Sequence, residues 1–76
     1  MGKWTPCKRK EFIRKLKELG FQSPESGGSH AYMRYGSYTF TLPNNREFSV
    51  SQIKMLIKEI ELGMKREISL DEWEKL

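Results

Sequence analysis

The sequence predicts an α+β fold: a small αβββα sandwich, with a three-stranded antiparallel sheet, two helices on one face and a short C-terminal helix. Three observations carry this. Apolar residues recur at helical spacing in two places, Phe12, Ile13, Leu16, Leu19 and then Ile53, Leu56, Ile57, Ile60. Between them, residues 29–35 and 38–42 alternate with period two around Gly36-Ser37. Finally, Ser69-Leu70-Asp71-Glu72 carries a further helix-start signal.

Taken in order, Thr5-Pro6 predicts a helix start, with Thr5 as N-cap and Pro6 at the first helical position, where its missing N–H costs nothing. Opposite the apolar stripe of this helix lie Lys10, Arg14 and Lys17. Gly20 is expected to close it, with Phe21 folding back on Leu16. Residues 22–28 offer no core-forming side chain and predict a loop. In the strand that follows, His30, Tyr32 and Arg34 share one parity, and Ala31, Met33 and Tyr35 the other. Tyr38, Phe40 and Leu42 alternate with Thr39 and Thr41, so the two strands predict a hairpin. Its apolar parity should meet the helices, which leaves His30, Tyr32 and Arg34 on the open face.

Pro43-Asn44-Asn45-Arg46 has turn composition, and Glu47-Phe48 is at most a short third strand. Ser49-Val50-Ser51-Gln52 fits a capping box, with Phe48 and Ile53 as its hydrophobic staple. Gly63 is expected to end this second helix. Met55 and Leu62 fall seven apart on its far side, to be covered by the C-terminal tail or to meet a partner. The tail repeats the start grammar, with Ile68 and Trp73 as staple, and predicts a helix over roughly residues 70–76 anchored by Trp73.

With 76 residues the chain has room for a single domain, 1–76, with its core over about residues 6–63 and a C-terminal extension over 64–76. Per-residue scaling puts its stability at about 4–11 kcal/mol. One cysteine, Cys7, excludes an internal disulfide and fits a reducing compartment. No apolar run approaches the roughly 18 residues of a membrane span, and no signal-peptide core is present. A cytoplasmic chain with no membrane partner is expected. The net charge is +4, and it is unevenly spread. Lys3, Lys8, Arg9, Lys10, Arg14, Lys15 and Lys17 face only Glu11 within residues 3–17, a local +6 that leaves −2 elsewhere. Such a stretch is either a solvated helix surface or a contact for an anionic partner such as nucleic acid.

Few groups here bear chemistry. One Cys and one His far apart in sequence, with no clustered carboxylates, do not make a zinc site. Nothing in the sequence orients a Cys7–His30 nucleophile pair, and Gly27-Gly28 lacks the residues of a phosphate loop. No cofactor is implied. His30, the one histidine, has two readings: a satisfied strand residue, or a general acid–base group acting on an RNA phosphodiester. The second chemistry needs no metal. A base takes the 2′-OH proton, the oxygen attacks the adjacent phosphorus, and cations stabilise the developing charge.

The run Lys10-Glu11-Phe12-Ile13-Arg14-Lys15-Leu16 through Gly20-Phe21, then Gly28-Ser29-His30, Leu42-Pro43 and Ser51-Gln52-Ile53-Lys54-Met55-Leu56-Ile57-Lys58, resembles the HicA family of toxin mRNA interferases. The likeness covers about residues 6–63 and rests on the order and spacing of short motifs. It implies a double-stranded-RNA-binding-like fold, ribosome-independent cleavage of mRNA, catalysis by His30, and silencing by a HicB-type antitoxin that covers the active face. Many members carry a Pro-x-His pattern where this chain has Pro43-Asn44-Asn45, a departure that implies weakened turnover or an RNA-binding relic. On this reading Lys10, Arg14, Lys17, Ser29 and Arg34 contact RNA, and Tyr32 is placed to stack on a base. Two other classes stand beside it. One is a non-catalytic RNA-binding module that grips by shape and phosphate contacts. The other is a protein-interaction domain using Met55, Leu62 and the tail.

Overall fold

Alternation decides the sheet. The computed structural model describes residues 3–27 and 30–76. Strand β1 (Cys7–Lys8) leads into helix α1 (Arg9–Leu19), followed by β2 (Glu25–Gly27), β3 (His30–Tyr35), β4 (Tyr38–Leu42) and β5 (Glu47–Phe48). Helices α2 (Val50–Met64) and α3 (Leu70–Lys75) complete the chain. The main sheet is antiparallel in the order β2-β3-β4, while β1 and β5 pair separately. Gly36 at φ 58° opens the two-residue turn that sets Tyr35 opposite Tyr38 and Ala31 opposite Leu42. In that register Met33, Phe40 and Leu42 are fully buried, whereas Arg34, Thr39 and Thr41 are exposed.

The buried face receives the helices. Phe12 and Leu16 of α1 join Ile53, Leu56, Ile57 and Ile60 of α2 in one apolar cluster with Met33, Phe40, Leu42 and Phe48. Phe12 is its hub, its ring 4.9 Å from Phe48, 5.3 Å from Trp73 and 6.3 Å from Phe40 between centroids. The tail belongs to this core as well: Met64, Ile68 and Trp73 are buried in it. Lys15 fastens α3 to α1, donating to the Trp73 carbonyl at 2.6 Å with its ammonium 5.1 Å from the indole centre.

Several expected caps are in place. Ser49 and Ser69 accept from the backbone N–H groups of Gln52 and Glu72, at 3.2 and 3.1 Å. Gly20 takes the left-handed conformation, and the Phe21 N–H donates to the Leu16 carbonyl at 3.0 Å. Elsewhere the fold departs from expectation. Helix α1 begins at Arg9 rather than at Pro6, because Cys7 and Lys8 are held extended opposite Phe48 and Glu47. The Arg9 N–H then donates to the Arg46 carbonyl at 2.8 Å. The third strand of the main sheet is β2, within the expected loop, and β5 pairs with β1 instead. Met55 and Leu62 are not covered by the tail, and stay 62% and 81% exposed.

Gly63 does not end α2. Lys65, at φ 59°, holds the left-handed position, and the Arg66 N–H closes the turn on the Glu61 carbonyl at 3.2 Å. Gly63 instead makes room inside the helix: a Cβ built there would overlap the ring of Tyr38. That ring is packed beside Phe21, and its buried hydroxyl has no partner among the described residues. Burial, with the Glu59 charge adding to it, pushes the Tyr38 hydroxyl pKa above its ordinary value. An alanine at 63 should gain about 1 kcal/mol of helix propensity yet force the aromatic ring out of its seat. Gly63→Ala is therefore expected to destabilise the fold by about 1–3 kcal/mol, as overpacking does. Urea unfolding measures it, and a variant more stable than the parent would refute the packing account.

Candidate functional site: the open sheet face

Parity places His30, Tyr32 and Arg34 together on the face of β3 opposite Met33, which among the described residues no helix covers. His30 and Arg34 are exposed, and Tyr32 is half-buried. Across β4, Thr41 and Thr39 stand opposite Tyr32 and Arg34. Across β2, Glu25 stands opposite Tyr32, and Gly27 opposite His30. The Arg34 guanidinium lies 5.4 Å from the Tyr32 ring centre, and its Nε is 3.3 Å from Glu25 Oε2. The face thus offers an imidazole, an aromatic ring and a guanidinium in one row, with one carboxylate beside it.

The helix cations singled out in the sequence are distributed differently. Helix α1 packs against the buried side of the sheet through Phe12 and Leu16, and Arg14 and Lys17 are exposed, away from the core. Arg14 is bound to the Glu11 carboxylate and donates to the Leu76 carbonyl at 3.1 Å. Lys10 lies elsewhere, at the start of α1. Ser29, and with it Gly28, lies outside the described residues. Cys7 stands opposite Phe48, and burial pushes its thiol pKa up, with the nearby Lys15 charge acting in the other direction. A protonated, half-buried thiol is a poor nucleophile.

One feature at the His30 end of the sheet was not legible in the sequence. Ala31 pairs with Leu42, so His30 lies at the end of the sheet from which Pro43 departs. The Pro43 carbonyl accepts from Arg9 Nε at 3.3 Å, tying the start of α1 to that end. Lys8, Arg9, Lys10 and Arg46 line an open basin of about 540 Å³ there. Arg9 and Arg46 are 37 positions apart, and their meeting is decided by the β1–β5 pairing rather than by any local signal.

The family model for the HicA toxin of bacterial toxin–antitoxin systems matches residues 9–62, from the first residue of α1 to near the end of α2. The chain belongs to the HicA toxin family. Comparison with curated proteins and with solved structures finds no match. Membership in a family of toxins from toxin–antitoxin pairs implies a cognate antitoxin as partner of this HicA-family chain. The matched segment includes both strands of the hairpin and the whole His30, Tyr32 and Arg34 row, while α3, which packs on α1, lies beyond it. No helix of the described residues is long and apolar enough to cross a membrane.

Proposed function

We propose that this HicA-family chain is a metal-independent endoribonuclease that cleaves mRNA with His30 as its general acid–base group. The observation that carries it is the exposure of His30 on an open sheet face, in line with Tyr32 and Arg34. In the proposed step the His30 imidazole accepts the proton of a ribose 2′-OH. The 2′-oxygen attacks the adjacent phosphorus, the bond to the 5′-oxygen breaks, and the imidazolium returns its proton to that leaving oxygen. The products are a 2′,3′-cyclic phosphate and a 5′-hydroxyl. Arg34 supplies positive charge for the phosphorane oxygens, and Tyr32 supplies a face on which a base stacks. Ser29 belongs to the same proposal as an RNA contact, by its place beside His30. The cognate antitoxin, of HicB type on this reading, silences the protein by covering this face.

The test is cleavage of a long, mostly unstructured RNA in EDTA, with the new ends identified. Cyclic phosphate ends formed by the protein and absent with His30→Ala support the reading. Equal cleavage by both removes the case for His30.

A second reading has its own observation. Asn45 takes the third place of the family's Pro-x-His pattern, and its Oδ1 accepts from Gln52 Nε2 at 3.1 Å, so it helps hold the start of α2. A carboxamide exchanges no proton near neutral pH. A chain left with one imidazole is then an RNA-binding module of double-stranded-RNA-binding-like fold, and salt-sensitive binding without cleavage identifies it.

Glu25 gives a further prediction under either reading. Its carboxylate is the partner of Arg34 in the free protein and competes with phosphate for that guanidinium. Glu25→Gln is expected to raise affinity for single-stranded RNA about threefold at low salt, read by fluorescence anisotropy. Weaker binding by the variant would show that Arg34 needs Glu25 to hold its place.

A further inference from the structure

We propose that Lys8, Arg9, Lys10 and Arg46 form a phosphate-binding cradle for the RNA strand that runs past His30. This rests on the reading of the open face as an RNA site and adds where the strand leaves it.

Four cations from three separate elements, β1, α1 and the turn before β5, converge on one open basin. The ion pairs among the described residues join Arg14 to Glu11, Arg34 to Glu25, Arg66 to Glu72 and Lys75 to Asp71. None of them involves the four basin cations. Glu47 is the cross-strand neighbour of Lys8, yet no ion pair joins them. Gathering like charges without neutralising them raises the energy of the free protein, and a bound polyanion relieves that repulsion.

Arg9 is the anchor. Its Nε is spent on the Pro43 carbonyl at 3.3 Å, which fixes the plane of the guanidinium and leaves its terminal N–H donors for a ligand. A planar fork held in this way suits phosphate oxygens better than a free side chain, because less freedom is lost on binding. The same bond ties the basin to the sheet end at which His30 stands. A strand stacked on Tyr32 and crossing His30 therefore meets the cradle on leaving the sheet. The basin is lined by four cations, groups that pair with phosphate oxygens, so the proposed contact is with the backbone and is indifferent to sequence.

The experiment measures binding of a labelled single-stranded RNA to the full chain carrying His30→Ala, so that the probe stays intact. On that background Lys10→Gln/Arg46→Gln is compared with Lys54→Gln/Lys58→Gln, which removes equal charge from the exposed side of α2. Arg9 is left in place because its contact with Pro43 is structural, and thermal melts verify that each variant is folded. The first pair is expected to lose at least about tenfold in affinity near physiological salt. The slope of log affinity against log salt should fall by about 0.7 for each phosphate contact removed. The α2 pair should change affinity less than about threefold and leave the slope in place. Equal losses in both pairs, an unaltered first pair, or no RNA binding by the parent would each overturn the cradle. Cleavage is scored separately on protein with His30 intact. Binding that depends on Lys10 and Arg46 without cleavage leaves the cradle standing and removes the nuclease reading, and cleavage with binding indifferent to the pair does the reverse.

Discussion

Replacing His30 with alanine is expected to lower the rate of RNA cleavage by about 10²–10⁴-fold, the usual contribution of a positioned acid–base group. Binding of the same RNA should change by less than about threefold, because the loss falls on the transition state and not on the ground state. The structure gives the reason for this split. His30 is exposed at the end of β3, and none of the buried residues that hold the sheet is beside it on that face. Its removal therefore leaves the fold intact, together with Tyr32 and Arg34 and the cations of the basin. Single-turnover cleavage and anisotropy, run on the same preparations, measure the two effects. Parallel losses in both would make His30 a binding residue, and the acid–base assignment would fail.

Phe12→Ala is expected to cost about 3–5 kcal/mol, the range for emptying an aromatic site in a core. The ring is fully buried and touches one ring from each of three elements, Phe40 of β4, Phe48 of β5 and Trp73 of α3. No single neighbour can move in to fill the space without leaving another contact. Against a total of about 4–11 kcal/mol for a chain this size, the variant should be largely unfolded or close to it at 37 °C. Urea denaturation followed by tryptophan fluorescence reads the change directly, since Trp73 lies against the site. A loss under about 1.5 kcal/mol, the range of well-tolerated core changes, would mean that the three aromatic contacts are not formed together.

Local signals and the structure agree wherever one segment of chain decides the outcome. The stripe of α2, the serine caps of α2 and α3, the glycine closure of α1 and the parity of the hairpin each depend on residues a few positions apart. Where the structure departs from a local signal, a distant segment of chain is the cause. Thr5-Pro6 has the chemistry of a helix start, but the pairing of Cys7 and Lys8 with Phe48 and Glu47 delays the helix to Arg9. Gly63 has the chemistry of a helix stop, but it is needed beneath the Tyr38 ring, 25 positions earlier in the chain. Strand β2 has no apolar residue: Glu25 and Ser26 are exposed, and it joins the sheet by backbone pairing and the Glu25–Arg34 ion pair, so it has no apolar pattern to find.

By itself, then, the sequence determined the fold class, the identity of the open face and the likeness to HicA toxins, because period-two and period-3.6 patterning act within single elements. Of the helix cations named from the sequence, the tertiary structure gathers Lys10 with Lys8, Arg9 and Arg46 and leaves Arg14 outside that group. Arg14 was drawn into contacts with Glu11 and Leu76, while Arg9, one cation of the basic stretch over residues 3–17, and Arg46, which lies outside that stretch, were brought to the end of the sheet from which Pro43 departs. The physical reason is that a helix cation's position relative to a sheet is set by how the elements dock. In this chain that docking is fixed by the Phe12 cluster and by a two-residue strand pair, and neither is a local property of the sequence.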